Sequence, residues 1–248
     1  MKQFLIALQF LTILPVKITS EPKESDFGKS LLYFPVIGIL IGLVLSTTVF
    51  LRSLLPNLVI GVIILIISIV ITGGIHLDGF ADTCDGFYGS NRKEKILQIM
   101  RDSRVGTMGV VGVVCLLLLK FTLIVSIPQR ILWKVLIMMV VFARWSQVLA
   151  CYISNYARKE GKAKYFIEHA GKKEFFMGIL LTSGLFFLLM QIKGVLLFFI
   201  SLVPILLLIN CIKRRIGGMT GDTLGAVNEI AEVLILLFYV FCQKVDIY

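Results

Sequence analysis

Apolar residues in this chain arrive in long unbroken runs, and nearly all the charge is collected in the short stretches between them. The runs at 31–51, 57–72, 105–127, 131–152, 175–192, 194–210 and 225–242 are apolar on every side rather than at alternate positions. Most approach the ~20 residues a helix needs to cross a bilayer. The pattern predicts an all-α, polytopic membrane bundle of about seven transmembrane helices, in one membrane-embedded domain over 1–248. It excludes an outer-membrane barrel, whose strands are runs of ~10 residues alternating in polarity. A shorter apolar run, Phe4 to Leu14, ends at Pro15 without a small-residue cleavage site. It predicts an interfacial helix that is retained rather than a signal peptide. In the first long run Pro35 predicts a kink, while Gly38 and Gly42 have the spacing that lets another helix approach closely.

Composition sharpens this picture in one respect. Of 248 residues 58% are hydrophobic and 16% charged, with a mean hydropathy of +0.94, so water is not the main solvent. A formal charge of +10 raises nucleic acid as a partner, but its distribution points to the membrane. With the N-terminus inside, the segments 1–30, 73–104, 153–174 and 211–224 hold 18 Lys and Arg, against five on the other side. Cytoplasmic loops carry such an excess, and contact anionic lipid headgroups. We therefore set nucleic acid aside and expect a multi-pass protein of the cytoplasmic (inner) membrane, N-terminus inside. Lys120 and Arg144 fall within spans, where a charge faces the bundle interior or a water-filled cavity. Cys84, Cys115, Cys151, Cys211 and Cys242 form no CxxC pair and read as small hydrophobes.

The acidic residues carry the candidate chemistry. Asp78, Asp82 and Asp85 lie in Gly73-Gly74-Ile75-His76-Leu77-Asp78-Gly79-Phe80-Ala81-Asp82-Thr83-Cys84-Asp85-Gly86. On a helix this spacing puts three carboxylates on one face, where they repel unless something compensates. A divalent cation with oxygen ligands, Mg²⁺ or Mn²⁺, is the simplest compensation. A second group, Asp222, Glu229 and Glu232, follows Gly217-Gly218-Met219-Thr220-Gly221 and again falls near one helical face. Both groups are expected at the cytoplasmic end, beside Arg92, Lys93, Arg101 and Arg104 and beside Lys213, Arg214 and Arg215. Carboxylates for a metal next to cations for phosphate oxygens make up the inventory of a phosphoryl-transfer site. Structural readings stand beside these: His76 as a hydrogen-bonded core side chain, Lys213 to Arg215 as topology signals, Arg144 as a bundle hydrogen-bonder. There is no GxxxxGK[ST] loop, HExxH pair or GxSxG elbow.

The segments 73–86, Ile99-Met100-Arg101-Asp102-Ser103-Arg104-Val105-Gly106 and Gly218-Met219-Thr220-Gly221-Asp222-Thr223-Leu224-Gly225-Ala226 resemble the signatures of the cobalamin synthase family. Phe4 to Thr12 and Phe34-Pro35-Val36-Ile37-Gly38 resemble its opening, so the likeness runs over nearly the whole chain. Cys84 stands where that family often has another small residue. The resemblance implies that adenosylcobinamide-GDP and α-ribazole, or its 5′-phosphate, are joined to give adenosylcobalamin or its phosphate with release of GMP. Mg²⁺ is the implied cofactor. Asp78, Asp82, Asp85, Asp222 and Glu229 are the expected metal ligands, with Asp82 or Asp85 as the base. Arg101, Arg104 and Lys213 are expected on phosphates, with His76 and Asp102 also at the substrate. Two rivals remain: a CDP-alcohol phosphotransferase, whose DGxxAR pattern is not reproduced after Asp85-Gly86, and a cation transporter using intramembrane carboxylates. The sequence leaves the oligomeric state and the role of Lys120 open.

Overall fold

Long apolar runs with no water to satisfy their backbone must bond internally, and they do so as helices. The computed structural model describes residues 1–18 and 21–244; within them the elements are helical, with one isolated bridge between Tyr156 and Met219. In chain order they are α1 (Lys2–Leu11), α2 (Glu24–Ser30), α3 (Phe34–Thr47), α4 (Asn57–Thr72), α5 (Ile75–Gly89), α6 (Lys93–Ile99), α7 (Thr107–Ser126), α8 (Gln129–Tyr152), α9 (Lys164–Glu168), α10 (Lys172–Ile216) and α11 (Gly221–Lys244). Among the described residues five helical stretches are long and apolar enough to span a bilayer on their own, and α4 with α5 adds a sixth as a pair bent by 92°.

The runs expected at 175–192 and 194–210 share the 45-residue stretch α10, whose helical geometry breaks at Met190 and Gln191. Phe186 and Phe198, twelve positions apart, have ring centroids only 5.7 Å from each other. A straight helix would separate them by roughly 18 Å. Trp145 touches both Phe175, at 6.3 Å, and Phe198, at 4.9 Å, so α10 doubles back as a hairpin of two arms packed on α8. The expectation of two spans here is met by this hairpin.

α8 is the axis of the bundle: it is buried nearly all round, from Leu132 to Cys151. A helix apolar on all faces belongs in such a place. α3 crosses it at Gly38 and Gly42, where an added Cβ would lie 2.9 Å from Val141 Cα and 2.8 Å from Ile137 Cα. The predicted GxxxG contact is therefore with α8. Pro35 does not kink a span; it stands in the first turn of α3, after a short 3-10 turn over Leu31–Tyr33, where its missing N–H costs no bond. α7 and α10 expose Val111, Leu118, Leu180, Leu188 and Leu207, the side chains a lipid-facing surface presents.

Charge inside the bundle is gathered in one place. Lys120 of α7 donates to Glu229 and Glu232 of α11, both at 2.6 Å. Arg144 of α8 bonds Asn228 and lies 3.5 Å from Glu232. Two cations face two carboxylates with an amide between them, as burial in a low-dielectric interior demands. Lys120 is thereby accounted for.

Candidate active site

The site forms where α4 gives way to α5. Gly73 and Gly74 both adopt left-handed φ, +62° and +68°, and turn the chain so that α5 leaves at an angle to α4. Residues with a Cβ rarely take that conformation, so the glycine pair makes the bend inexpensive. α5 then crosses the start of α11 at very close range. A Cβ on Gly79 would sit 2.7 Å from the Asp222 carbonyl oxygen, and one on Gly225 would sit 2.9 Å from that of His76. The two glycines bring Asp78 and Asp82 of the first acidic group close to Asp222 of the second.

The cleft beside this crossing is lined by Ile75, His76 and Asp78 of α5, Gln147 of α8, and Gly221, Asp222 and Leu224 of α11. Tyr156, Arg158 and Lys162, from the segment between α8 and α9, close it, and Phe10 of α1 completes the wall. It has a volume of about 190 Å³ and shares Phe10, Ile75, Gly161 and Lys162 with a neighbouring cavity of about 500 Å³. Asp78 is exposed, and Asp82, one turn further along α5, lies within electrostatic reach of Asp78, Asp222, Asp85 and Arg158. Arg158 makes an ion pair with Asp222 at 2.7 Å.

The segment that carries Arg158 is held by backbone pairing: the Met219 amide donates to Asn155 at 2.8 Å, and the Ala157 amide to Met219 at 2.9 Å. Burial pushes the Tyr156 phenol above its ordinary range, so it is a neutral hydroxyl at neutral pH. His76 is buried, its Nδ1 lies 3.3 Å from the Gln147 amide nitrogen, and its Nε2 has no hydrogen-bond partner among the described residues.

Several expected site residues are placed elsewhere. Asp85 accepts the Gly106 and Gly109 amides, each at 2.7 Å, and so caps the N-terminus of α7 from across the interface. Glu229 is turned away into the Lys120 network, because an unpaired lysine at that depth would be costlier than an acid missing from the cleft. Lys213 spends its ammonium on the Ile153 carbonyl at 2.5 Å, tying α10 to the loop after α8. Asp102 and Arg104 pair with each other at 2.9 Å on the surface, where hydrogen bonds from Arg104 hold the Asp102 carboxyl down at about 2. Arg101 faces a neighbouring cavity with Gln98, Arg158 and Lys159. Arg144 bonds Asn228 and lies near Glu232 inside the bundle, and it does not line the cleft.

Sequence reasoning missed Arg158 and Lys162. They sit in the segment 153–174, whose six cations read as a topology signal, and only their position against Asp222 and Asp78 marks them.

The cleft combines carboxylates near its floor with cations in its lid, and comparisons with known proteins bear on what uses it. The family model described as Cobalamin-5-phosphate synthase matches residues 3–240. The adenosylcobinamide-GDP ribazoletransferase of Acetivibrio thermocellus is 38% identical over 244 residues, covering 97% of this chain and 98% of its own. That of Alkaliphilus metalliredigens is 39% identical over 246 residues, 96% of this chain and 94% of its own. The protein of the same name from Clostridium acetobutylicum is 37% identical over 238 residues, with 95% and 94% covered. No solved structure matches the chain. Since the match includes α5, the loop after α8 and the start of α11, the elements that build the cleft, the chain belongs to the cobalamin-5-phosphate synthase family.

Proposed function

We propose that this protein is an adenosylcobinamide-GDP ribazoletransferase that works at the inner surface of the cytoplasmic membrane. The observation that carries the reading is the cleft in which Asp78 and Asp222 meet Arg158 and Lys162, with Asp82 within electrostatic reach of both acids. The family's shared name supplies the substrates. The acceptor hydroxyl of α-ribazole, or of its 5′-phosphate, attacks the phosphorus on the cobinamide side of the diphosphate. A phosphorus–oxygen bond forms, the bond to the guanylyl oxygen breaks, and GMP leaves.

Mg²⁺ is the cofactor this reading implies. Among the described residues no three His, Cys, Asp or Glu side chains are gathered closely enough to enclose a metal by themselves. Mg²⁺ is commonly bound through one or two carboxylates, with substrate phosphates and water completing its shell. Asp222 with one of Asp78 and Asp82 would hold it, and bound there it would neutralise charge developing on the diphosphate. Asp82 is the better base of the two expected, since both Asp85 oxygens already accept backbone amides. It takes the hydroxyl proton as the new bond forms. Arg158, Lys162 and Arg101 would hold phosphate oxygens, and the wider cavity beside Phe10 would take the larger groups against apolar and aromatic walls.

The test is GMP release by the purified protein in liposomes. GMP should appear one for one with corrinoid product, only with both substrates and divalent metal present, and should vanish with EDTA or in Asp82→Asn. GMP without acceptor would mean hydrolysis, and CMP from a CDP-alcohol would mean the lipid-type enzyme. Cation flux with no nucleotide released would sink the enzyme reading.

A further inference from the structure

The cleft contains an arrangement that its proposed chemistry leaves unexplained. Its best-placed cation, Arg158, is paired with one of the carboxylates that the reaction needs. The side chains of Arg158 and Asp222 are only 11% and 23% exposed, so little water screens the pair. Arg158 is also poorly satisfied where it stands. Its Nε is buried with no hydrogen-bond partner among the described residues, while its Nη2 meets a carboxylate oxygen of Asp222 at 2.7 Å. A guanidinium kept for structure would use its fork of donors in paired, planar bonds. Arg158 lines two cavities: the acidic cleft with Asp78 and Asp222, and a second one with Glu94, Gln98, Arg101 and Lys159. Its backbone follows a segment pinned to Met219, so the side chain can change partners while the main chain stays in place.

We infer that Arg158 is the counter-ion of the acidic cleft when no divalent cation is bound, and that a cation arriving at Asp222 displaces its guanidinium toward the cavity shared with Arg101. Three carboxylates in mutual reach, Asp78, Asp82 and Asp222, need positive charge to coexist in a half-buried site. Arg158 supplies it when no divalent cation is bound. When a divalent cation takes its place the cleft keeps its balance, and a guanidinium is released beside the cations that face a phosphate. Metal and diphosphate binding are then linked, because the same side chain leaves one and joins the other. This second half rests on the ribazoletransferase reading; the exchange at Asp222 does not.

The experiment uses Mn²⁺ alone, with the full-length protein in detergent and no substrate. Arg158→Gln should bind Mn²⁺ at least about tenfold more tightly than the parent, as loss of an adjacent opposite charge requires. Its unfolding temperature should drop in EDTA and return to the parent's with Mn²⁺. Lys162→Gln, which removes a cation from the same cleft but breaks no ion pair, should change Mn²⁺ affinity by less than about threefold. In the parent protein, Mn²⁺ should increase phenylglyoxal modification of Arg158, read by mass spectrometry, with Arg101 as the internal control. This measurement needs no variant to fold. Unchanged or weaker Mn²⁺ binding in Arg158→Gln, or an Arg158 no more reactive with Mn²⁺ than without it, would overturn the inference. If both Mn²⁺ readouts come out as expected while GMP release is absent, the exchange stands and the assigned substrates fall. With substrate, Arg158→Gln should raise KM for the guanylylated corrinoid about tenfold or more, with a smaller effect on kcat.

Discussion

Two aspartates three positions apart on α5 have opposite uses. Asp85 accepts two amides at the start of α7, the task of an N-cap performed by a residue from another helix. Asp82 accepts no hydrogen bond among the described residues and stands in the field of Asp78, Asp222 and Asp85. Asn at position 85 keeps one acceptor oxygen but turns an NH2 group toward a backbone donor. Asp85→Asn should therefore cost about 1–2 kcal/mol. Asp82→Asn relieves repulsion, so it should leave stability unchanged or slightly raised while abolishing transfer. Thermal unfolding in detergent, beside single-turnover GMP release, checks both. A clearly destabilised Asp82→Asn that still turns over would make Asp82 a structural carboxylate. The even spacing of Asp78, Asp82 and Asp85 gave no warning of this division, because the partners of Asp85 lie 21 and 24 positions away.

Between elements, the crossing of α5 with α11 decides whether a site exists. Gly79 meets backbone of α11, not the end of a flexible side chain, so an added methyl cannot be accommodated by a rotamer change. Gly79→Ala should push the helices apart, cost about 1–3 kcal/mol and reduce GMP release by at least about tenfold. Gly184, with nothing within 4 Å of its added Cβ, is the control: Gly184→Ala should leave activity intact and stability equal or better. Equal activity in the two variants would show that the α5 and α11 acids do not act together. The same interface explains why Glu229 was misplaced by periodicity. Asp222 and Glu229 do share a face of α11, but seven residues is about two turns, roughly 10 Å. That distance takes Glu229 from the cleft to the depth of Lys120.

For the whole molecule, the segments expected on the inner side meet at one end of the bundle. Lys213 bonds Ile153, Arg215 bonds Ser90 and Asn91, and Arg158 pairs with Asp222. With the N-terminus inside, Ser90→Cys and Glu160→Cys in a cysteine-free background should be shielded from an impermeant thiol reagent in intact cells, and Gln129→Cys should react. Labelling of position 90 from outside would invert the arrangement and put the cleft on the wrong side for a guanosine nucleotide. The helical class, the spans, the single-ended collection of charge and the two acidic segments were all legible in the chain. Each follows from the number and order of apolar and charged residues, which a bilayer reads directly. The partners of those charges were not legible. Whether an aspartate caps a helix, meets an arginine or waits for a metal depends on which helix lies across from it. That was decided by close approaches at Gly79 and Gly225, by the hairpin turn at Met190–Gln191 and by a loop folded onto Met219. Arg158 and Lys120 show the reason: a buried charge takes its partner from the nearest surface in space, and here those surfaces are 64 and 109 residues away along the chain.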